Sequence, residues 1–505
     1  MNIATSTSIT LANAVTSIPA RSFDFGRRLS IFILRHRPWV IFSRRLSNTK
    51  ITLVIKNDAL LGYSRLHIIQ RYESQTLCSS VSSVVKNKST ATEDTEKRRG
   101  NQNRSQTLPV GTAFHERTFA LCQSLNYREW SGYYTVSAYE VHHDHEYNAI
   151  RNAAALIDIT PLYKYLVSGK DATKLVNRVI TRDINKVAVG QVIYCCWCDE
   201  QGKVIDDGTI TRLEENKYRW TAADPSLRWF RQNGLNMSVQ VEDISEKVAA
   251  LALQGPTSAK LLKAAAEADI ANLKYFRKTS GKIAGIAVDI SRTGYTGDLG
   301  YEIWVPWTDA VKVWDELMAK GRQFDIHAAG MLALDVARVE AGLLLIEVDY
   351  TSSKKALIPS QKYSPFELGF GKMVHLDKEN FVGKSALERD HKDGVARQLV
   401  GLEIDWPEVE ARYEKFGLTP AAPAQASRVA VPVYREGVQV GKATTTTWSP
   451  VLKKMIALGS VETAHSQLGT KLQMEITIEA IRQNVTVTVV KLPFFNPARK
   501  TAAQV

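Results

Sequence analysis

The chain has 505 residues, 44% hydrophobic and 23% charged, the balance of a globular protein long enough for two or three cores. Its net charge of +13 is unevenly placed, with roughly 11 of those charges in the first 110 residues. The nearly neutral remainder speaks against a basic nucleic-acid groove, and five cysteines, an odd number, speak against a disulfide framework.

The first 50 residues hold Arg21, Arg27, Arg28, Arg35, Arg37, Arg44 and Arg45 against one acid, Asp24, among many Ser and Thr. That is the composition of a mitochondrial transit peptide. The alternative is untranslated or unprocessed sequence captured by a gene model. The apolar stretch Leu29 to Phe42 is broken by Arg35, His36, Arg37 and Pro38, too short and too charged to span a membrane. Residues 79–108 have the composition of a disordered linker. Residues 1–110 are therefore expected to be a basic, disordered extension. The location is the mitochondrial matrix if that segment is a transit peptide, and the cytoplasm otherwise.

From residue 111 the texture becomes regular. HEYNAIRNAAALIDI carries apolar residues at helical spacing and ends as a strand. YKYLVSG is a short strand, followed by a helix over DATKLVNRVI with Asp171 as its N-cap. QVIYCCWC, KVIDDGTITRL and YRWTAAD form a three-strand meander with turns at residues 199–202 and 214–217. A helix starts after Asp224-Pro225. VAALALQGPTSAKLLKAA reads as strand, turn and helix, and IAVDIS as a strand. Helices follow over DAVKVWDELMAK and AAGMLALDVARVEAG, the second closing at Gly342. After residue 396 only strands and short turns remain, the pattern of a barrel or sandwich.

One run stands out. SRTGYTGDLGYEIWVP places Gly294, Gly297 and Gly300 at every third position, then Glu302 on an apolar strand. Such glycines permit tight turns and a close approach to a ligand, or simply make a hairpin. The run lacks the Lys-Ser/Thr of a phosphate loop. Other candidates are weaker. YCCWC would point its cysteines to opposite faces of a strand, so small buried residues fit better than metal ligands. HHDHE, residues 142–146, lacks the H-E-x-x-H spacing and reads as a solvated helix start. Trp448 either walls a channel or fills a core. No metal site is expected.

ALQGPTSAKLL, RTGYTGDLGYEI, LALDVARVEAG, SPFELGFGKMV and ENFVGKSAL, with GKVIDDG upstream, occur in order. Together they resemble the tetrahydrofolate-dependent aminomethyltransferase family, whose best-known member is the T-protein of the glycine cleavage system. The resemblance covers residues 111–497. It implies an α+β cloverleaf: folate-binding domains over 111–390, then a C-terminal β-barrel over 396–497. The implied cofactor is tetrahydrofolate. The implied partners are a small one-carbon donor and a lipoyl carrier like the H-protein, with no nucleic acid and no membrane.

The resemblance also implies residue roles. Asp206, the first acid of GKVIDDG, is the catalytic carboxylate near folate N5, where it can stabilise positive charge developing on nitrogen or carbon. Only one of Asp206 and Asp207 should face the channel, because strand residues alternate. A surface pair closing a hairpin is the alternative. Glu302 takes the adjacent N3–H and 2-amino donors of the pteridine. Tyr194 lines the folate pocket. Arg338 lies toward the substrate end, unless it only pairs with Glu340 or Asp335. Departures from the family pattern fall at Leu334, Ile346 and Ala222, and the segment LIEVDYTSSKKALIPSQKYSPFE is longer than its counterpart. These touch the donor side, so a folate-dependent demethylase of a small N-, O- or S-methyl donor is an alternative activity. A non-catalytic folate-binding factor is a second, but the K-G-C signature of such relatives is missing.

Overall fold

The computed structural model describes residues 108–502 and, before them, the backbone of four strands. The chain divides into two units, residues 1–103 and 104–505. In the first unit, Ser30–Phe32, Trp39–Leu46, Thr49–Asp58 and Tyr63–Tyr72 pair in sequence as an antiparallel sheet. These strands lie within the extension expected from its composition to be disordered. TKITLVIKND and YSRLHIIQRY carry branched residues in the strand pattern, which the reading of charge alone overlooked. Residues 1–29, 33–38 and 47–48 of the transit-like first 50 residues, and all of the linker except Leu108, lie outside the described residues.

Among the described residues the second unit holds a five-stranded sheet, a seven-stranded sheet, a small three-stranded sheet (Val110–Gly111, Tyr133–Ala138 and Asn126–Trp130) and a barrel. A five-stranded sheet has β1 (Val192–Cys198), β2 (Val204–Glu214) and β3 (Lys217–Ala222) as the expected meander, continued by Tyr163–Ser168 and Gln240–Asp243. One face buries Tyr165, Trp197, Tyr218, Trp220 and Phe230. Trp220 stacks on Phe230 at 3.9 Å between ring centroids, with Trp197 edge-on at 5.3 Å from Trp220. Truncating Trp220 to Ala would cost about 3–5 kcal/mol. Alternation along KYRWTA then sends Arg219 and Thr221 to the opposite face.

A seven-stranded sheet contains β4 (Val248–Gln254), β5 (Ile286–Ser291) and β6 (Gly300–Pro306), with β6 between the other two. Helix α1 (Met331–Glu340) is buried along nearly its whole length, and Gly342 just beyond it has φ +65°, a left-handed stop. Strands between Arg397 and Val490 close a six-stranded barrel, which decides against a sandwich. Among the described residues no helix is long and apolar enough to cross a membrane.

Candidate functional site

The glycine-rich run is built around one amide. Gln254, at the end of β4, donates through Nε2 to the carbonyls of Thr293 and Tyr301 and accepts through Oε1 from the Thr296 hydroxyl. A Cβ on Gly294 would lie 2.1 Å from Gln254 Oε1, and one on Gly300 2.2 Å from it. The absent side chains are what let the loop wrap this amide. The loop delivers Thr293, whose hydroxyl donates to Glu302 Oε2 at 2.6 Å. Glu302 is half-buried on β6, with Oε1 accepting nothing among the described residues. Burial raises its carboxyl above the ordinary range, against the Thr293 bond and the nearby Arg219 charge.

The acid pair sits on β2 beside a bulge. Trp197 faces Asp206 and Cys196 faces Asp207, but Cys198 pairs back to Val204, leaving Ile205 as the extra residue. Asp206 therefore shares the Trp197 side and is fully buried. Its oxygens accept from the backbone amides of Asp207 at 2.8 Å and Asp224 at 3.0 Å. Asp207 is half-buried on the side of Tyr194 and Cys196. It accepts from the Tyr194 hydroxyl at 2.6 Å and from the Tyr350 hydroxyl. No Lys, Arg or His pairs with it among the described residues. Burial, then the charge of Asp207, pushes the Asp206 carboxyl well above its usual range, and burial raises Asp207 as well. Burial keeps the phenols of Tyr194 and Tyr350 protonated to unusually high pH, so both stay donors.

These positions separate the two carboxylates by environment. Asp206 has both oxygens engaged by backbone amides and none of it meets solvent. Asp207 is the carboxylate of the pair that a ligand can reach. Tyr194 is half-buried, edge-on to Phe370 at 5.7 Å, and bound to Asp207. Arg338 is wholly buried. It binds Asp349 and donates to Thr445 Oγ1 at 3.0 Å and the Leu343 carbonyl at 3.3 Å. It thus ties α1 to the barrel strand Val438–Ser449, and the pairing with Asp335 is a distant 3.8 Å.

Three contributors escaped the sequence reading. Tyr350 comes from the long segment after α1, whose Ser352 hydroxyl donates to the Ile205 carbonyl and whose Ser353 amide donates to that of Val204. The segment is therefore stitched to the acid pair's strand. Gln254 lay in a quoted motif without a role. Arg219 had a visible signal, a lone charge in the apolar alternation of YRWTA. The weaker candidates resolve simply. Cys195, Cys196 and Cys198 are buried thiols. Glu146 is buried rather than solvated, accepting from the amides of Tyr139, Glu140 and Gly330. No group of acidic, His or Cys residues fit for a metal occurs among the described residues. Trp448 packs edge-on against Trp406 at 5.0 Å.

Comparison with known proteins agrees with this architecture. The GCVT N-terminal domain model matches residues 113–378, and the glycine cleavage T-protein C-terminal barrel domain model matches residues 397–496. An aminomethyltransferase from Caldanaerobacter subterraneus subsp. tengcongensis is 32% identical over 336 residues, 66% of this chain and 83% of that protein. A trimethylamine-oxide aldolase from Ruegeria pomeroyi is 31% identical over 402 residues, 77% of this chain and 47% of that longer protein. The crystal structure of glycine cleavage system aminomethyltransferase T from Bartonella henselae superposes with a TM-score of 0.64 at 22% identity, covering 77% of this chain and 99% of that one.

Proposed function

The chain belongs to the glycine-cleavage T-protein family, and from that premise we propose that it transfers a one-carbon unit to tetrahydrofolate. The donor we assign is an aminomethyl group on a lipoyl carrier, with methylene-tetrahydrofolate and ammonia as products. The carbon keeps its oxidation level: a C–S bond breaks, C–N bonds form and ammonia leaves, so no oxidant is required.

The observation that carries the proposal is Asp207, a half-buried carboxylate with two phenol donors and no cationic partner among the described residues. Bound folate supplies a nucleophilic ring nitrogen. Asp207 contributes negative potential where positive charge develops on the reacting amine, and its raised proton affinity suits it to take a proton from that amine. Tyr194 and Tyr350 hold the carboxylate in one orientation. The residues present fit the pteridine too. Glu302 offers an open oxygen to a pair of adjacent donors, and the bare backbone at Gly294 is exposed beside it. In the full chain, incubation with tetrahydrofolate and an aminomethyl-loaded lipoyl carrier should yield methylene-tetrahydrofolate and ammonia in equal amounts. Absence of both, with the carrier shown to be loaded, would remove the aminomethyl reading.

A second reading has its own support. Tyr350 reaches Asp207 from the long segment, and a relative 31% identical over 402 residues is a trimethylamine-oxide aldolase, a protein named for a methylated amine. A small methylated donor would then replace the lipoyl arm, and methyl-tetrahydrofolate would appear instead. Removal of the Arg-rich segment on mitochondrial import would place the enzyme in the matrix. An uncleaved protein in the cytosolic fraction would place it there.

A further inference from the structure

Arg219 is the least explained charged residue in the described part of the chain. It lies on β3 and is 5% exposed. Nη1 donates to Asp289 Oδ2 at 3.0 Å. Nε and Nη2 have no partner among the described residues. A guanidinium has five donors in a fixed fork, and each buried donor left unmade costs about 1–3 kcal/mol. A purely structural ion pair between sheets does not explain two orphaned nitrogens. Asp289 does not depend on Arg219 either, since it also accepts from Lys278 Nζ at 2.5 Å and the Ser280 hydroxyl at 2.8 Å.

The fork is held in place. Its carbon lies 4.3 Å from the centre of the Trp304 ring, and Trp304 shares the Glu302 face of β6, two residues on. Trp304 is itself oriented by its Nε1–H toward the Ser291 hydroxyl at 3.4 Å. Arg219 and Glu302 are close enough for each to favour the other's charged form. β3 thus brings unsatisfied donors to a place where β6 brings an unsatisfied acceptor.

One edge of a pteridine presents the matching row: the 2-amino group, N3–H and the 4-oxo oxygen. Glu302 suits the two donors. We propose that Arg219 donates to the 4-oxo oxygen, so that the two strands together read this edge and select a 4-oxo pteridine over a 4-amino one. The inference rests on the folate reading above, but adds a residue and a selectivity to it.

The test is an equilibrium titration of the full chain with tetrahydrofolate and with its 4-amino counterpart, tetrahydroaminopterin. Wild type should prefer the 4-oxo ligand by at least about tenfold. Arg219→Met should lose at least about tenfold in affinity for the 4-oxo ligand while changing less than about twofold for the 4-amino one, so the preference collapses to the part Glu302 keeps through N3–H, a donor the 4-amino ligand lacks. Arg219→Lys keeps a charge beside Asp289 but not the fork, and should show the same collapse. It decides the matter if the Met variant does not fold. An unchanged ratio in the variants, or equal loss for both ligands, would overturn the proposal and leave Arg219 a support between sheets. Failure of wild type to bind either ligand would overturn both the proposal and the folate reading.

Discussion

A bulge one residue wide decides which aspartate is open to a ligand, and so which one the proposed function uses. Counting two by two along β2 from Val204 puts Asp206 on the open face, but the extra Ile205 resets the count and turns Asp207 there instead. Asp207→Asn should cut turnover by roughly 10²-fold or more while leaving folate affinity within about threefold, measured by single-turnover kinetics and titration. Asp206→Asn should instead disturb the loop at Asp224 and lower stability. The raised proton affinity of Asp207 has a stability consequence. The folded protein keeps this proton longer than the unfolded chain, whose aspartates titrate near 3.9. The associated stability is complete below that pH and is lost as the pH rises through the folded value. Asp207→Asn should therefore melt higher than wild type at pH 8, with the advantage fading toward pH 4. A difference independent of pH would contradict the assignment.

Elements were more legible than the contacts between them. Branched and aromatic runs marked the meander, and Gly342 marked the end of α1, because those signals are local. The bulge was not legible, since it is set by how β1 and β2 pair and not by either strand alone. Asp171 shows the same limit. Its side chain accepts from the Ser238 amide, 67 residues away, instead of capping its own helix. The glycine-rich loop was visible as a turn, but its reason, the Gln254 amide, lies on another strand. Gly294→Ala should destabilise by about 1–3 kcal/mol, because the new methyl must displace an amide holding three hydrogen bonds. It should also weaken folate binding through Thr293 and Glu302. A melting temperature equal to wild type would show that the loop tolerates the methyl.

At the scale of the second unit, buried charges join the parts. Glu340 on α1 accepts from Arg151 Nη2 at 2.6 Å, the Tyr147 hydroxyl at 2.6 Å and the barrel's Ser449 hydroxyl at 2.6 Å. The C-terminal segment closes the same network. Arg499 binds Asp298 in the glycine-rich loop, and Arg292 donates to the carbonyls of Arg499, Lys500 and Ala502. Glu340→Ala should cost about 3–5 kcal/mol, since Arg151 would be left buried beside a lost partner. Removing residues 498–505 should loosen the loop and reduce folate affinity without touching Asp207, a loss that hydrogen exchange across residues 291–302 would register. Aminomethyl transfer and demethylation, as proposed, both place folate on the wall formed by β2, β3 and β6. The most direct measurement is therefore an anaerobic equilibrium titration of the full chain with tetrahydrofolate, alongside Glu302→Ala. Saturable one-to-one binding, weakened at least about tenfold by the substitution, is the expected result. No binding, or binding indifferent to Glu302, would contradict the account.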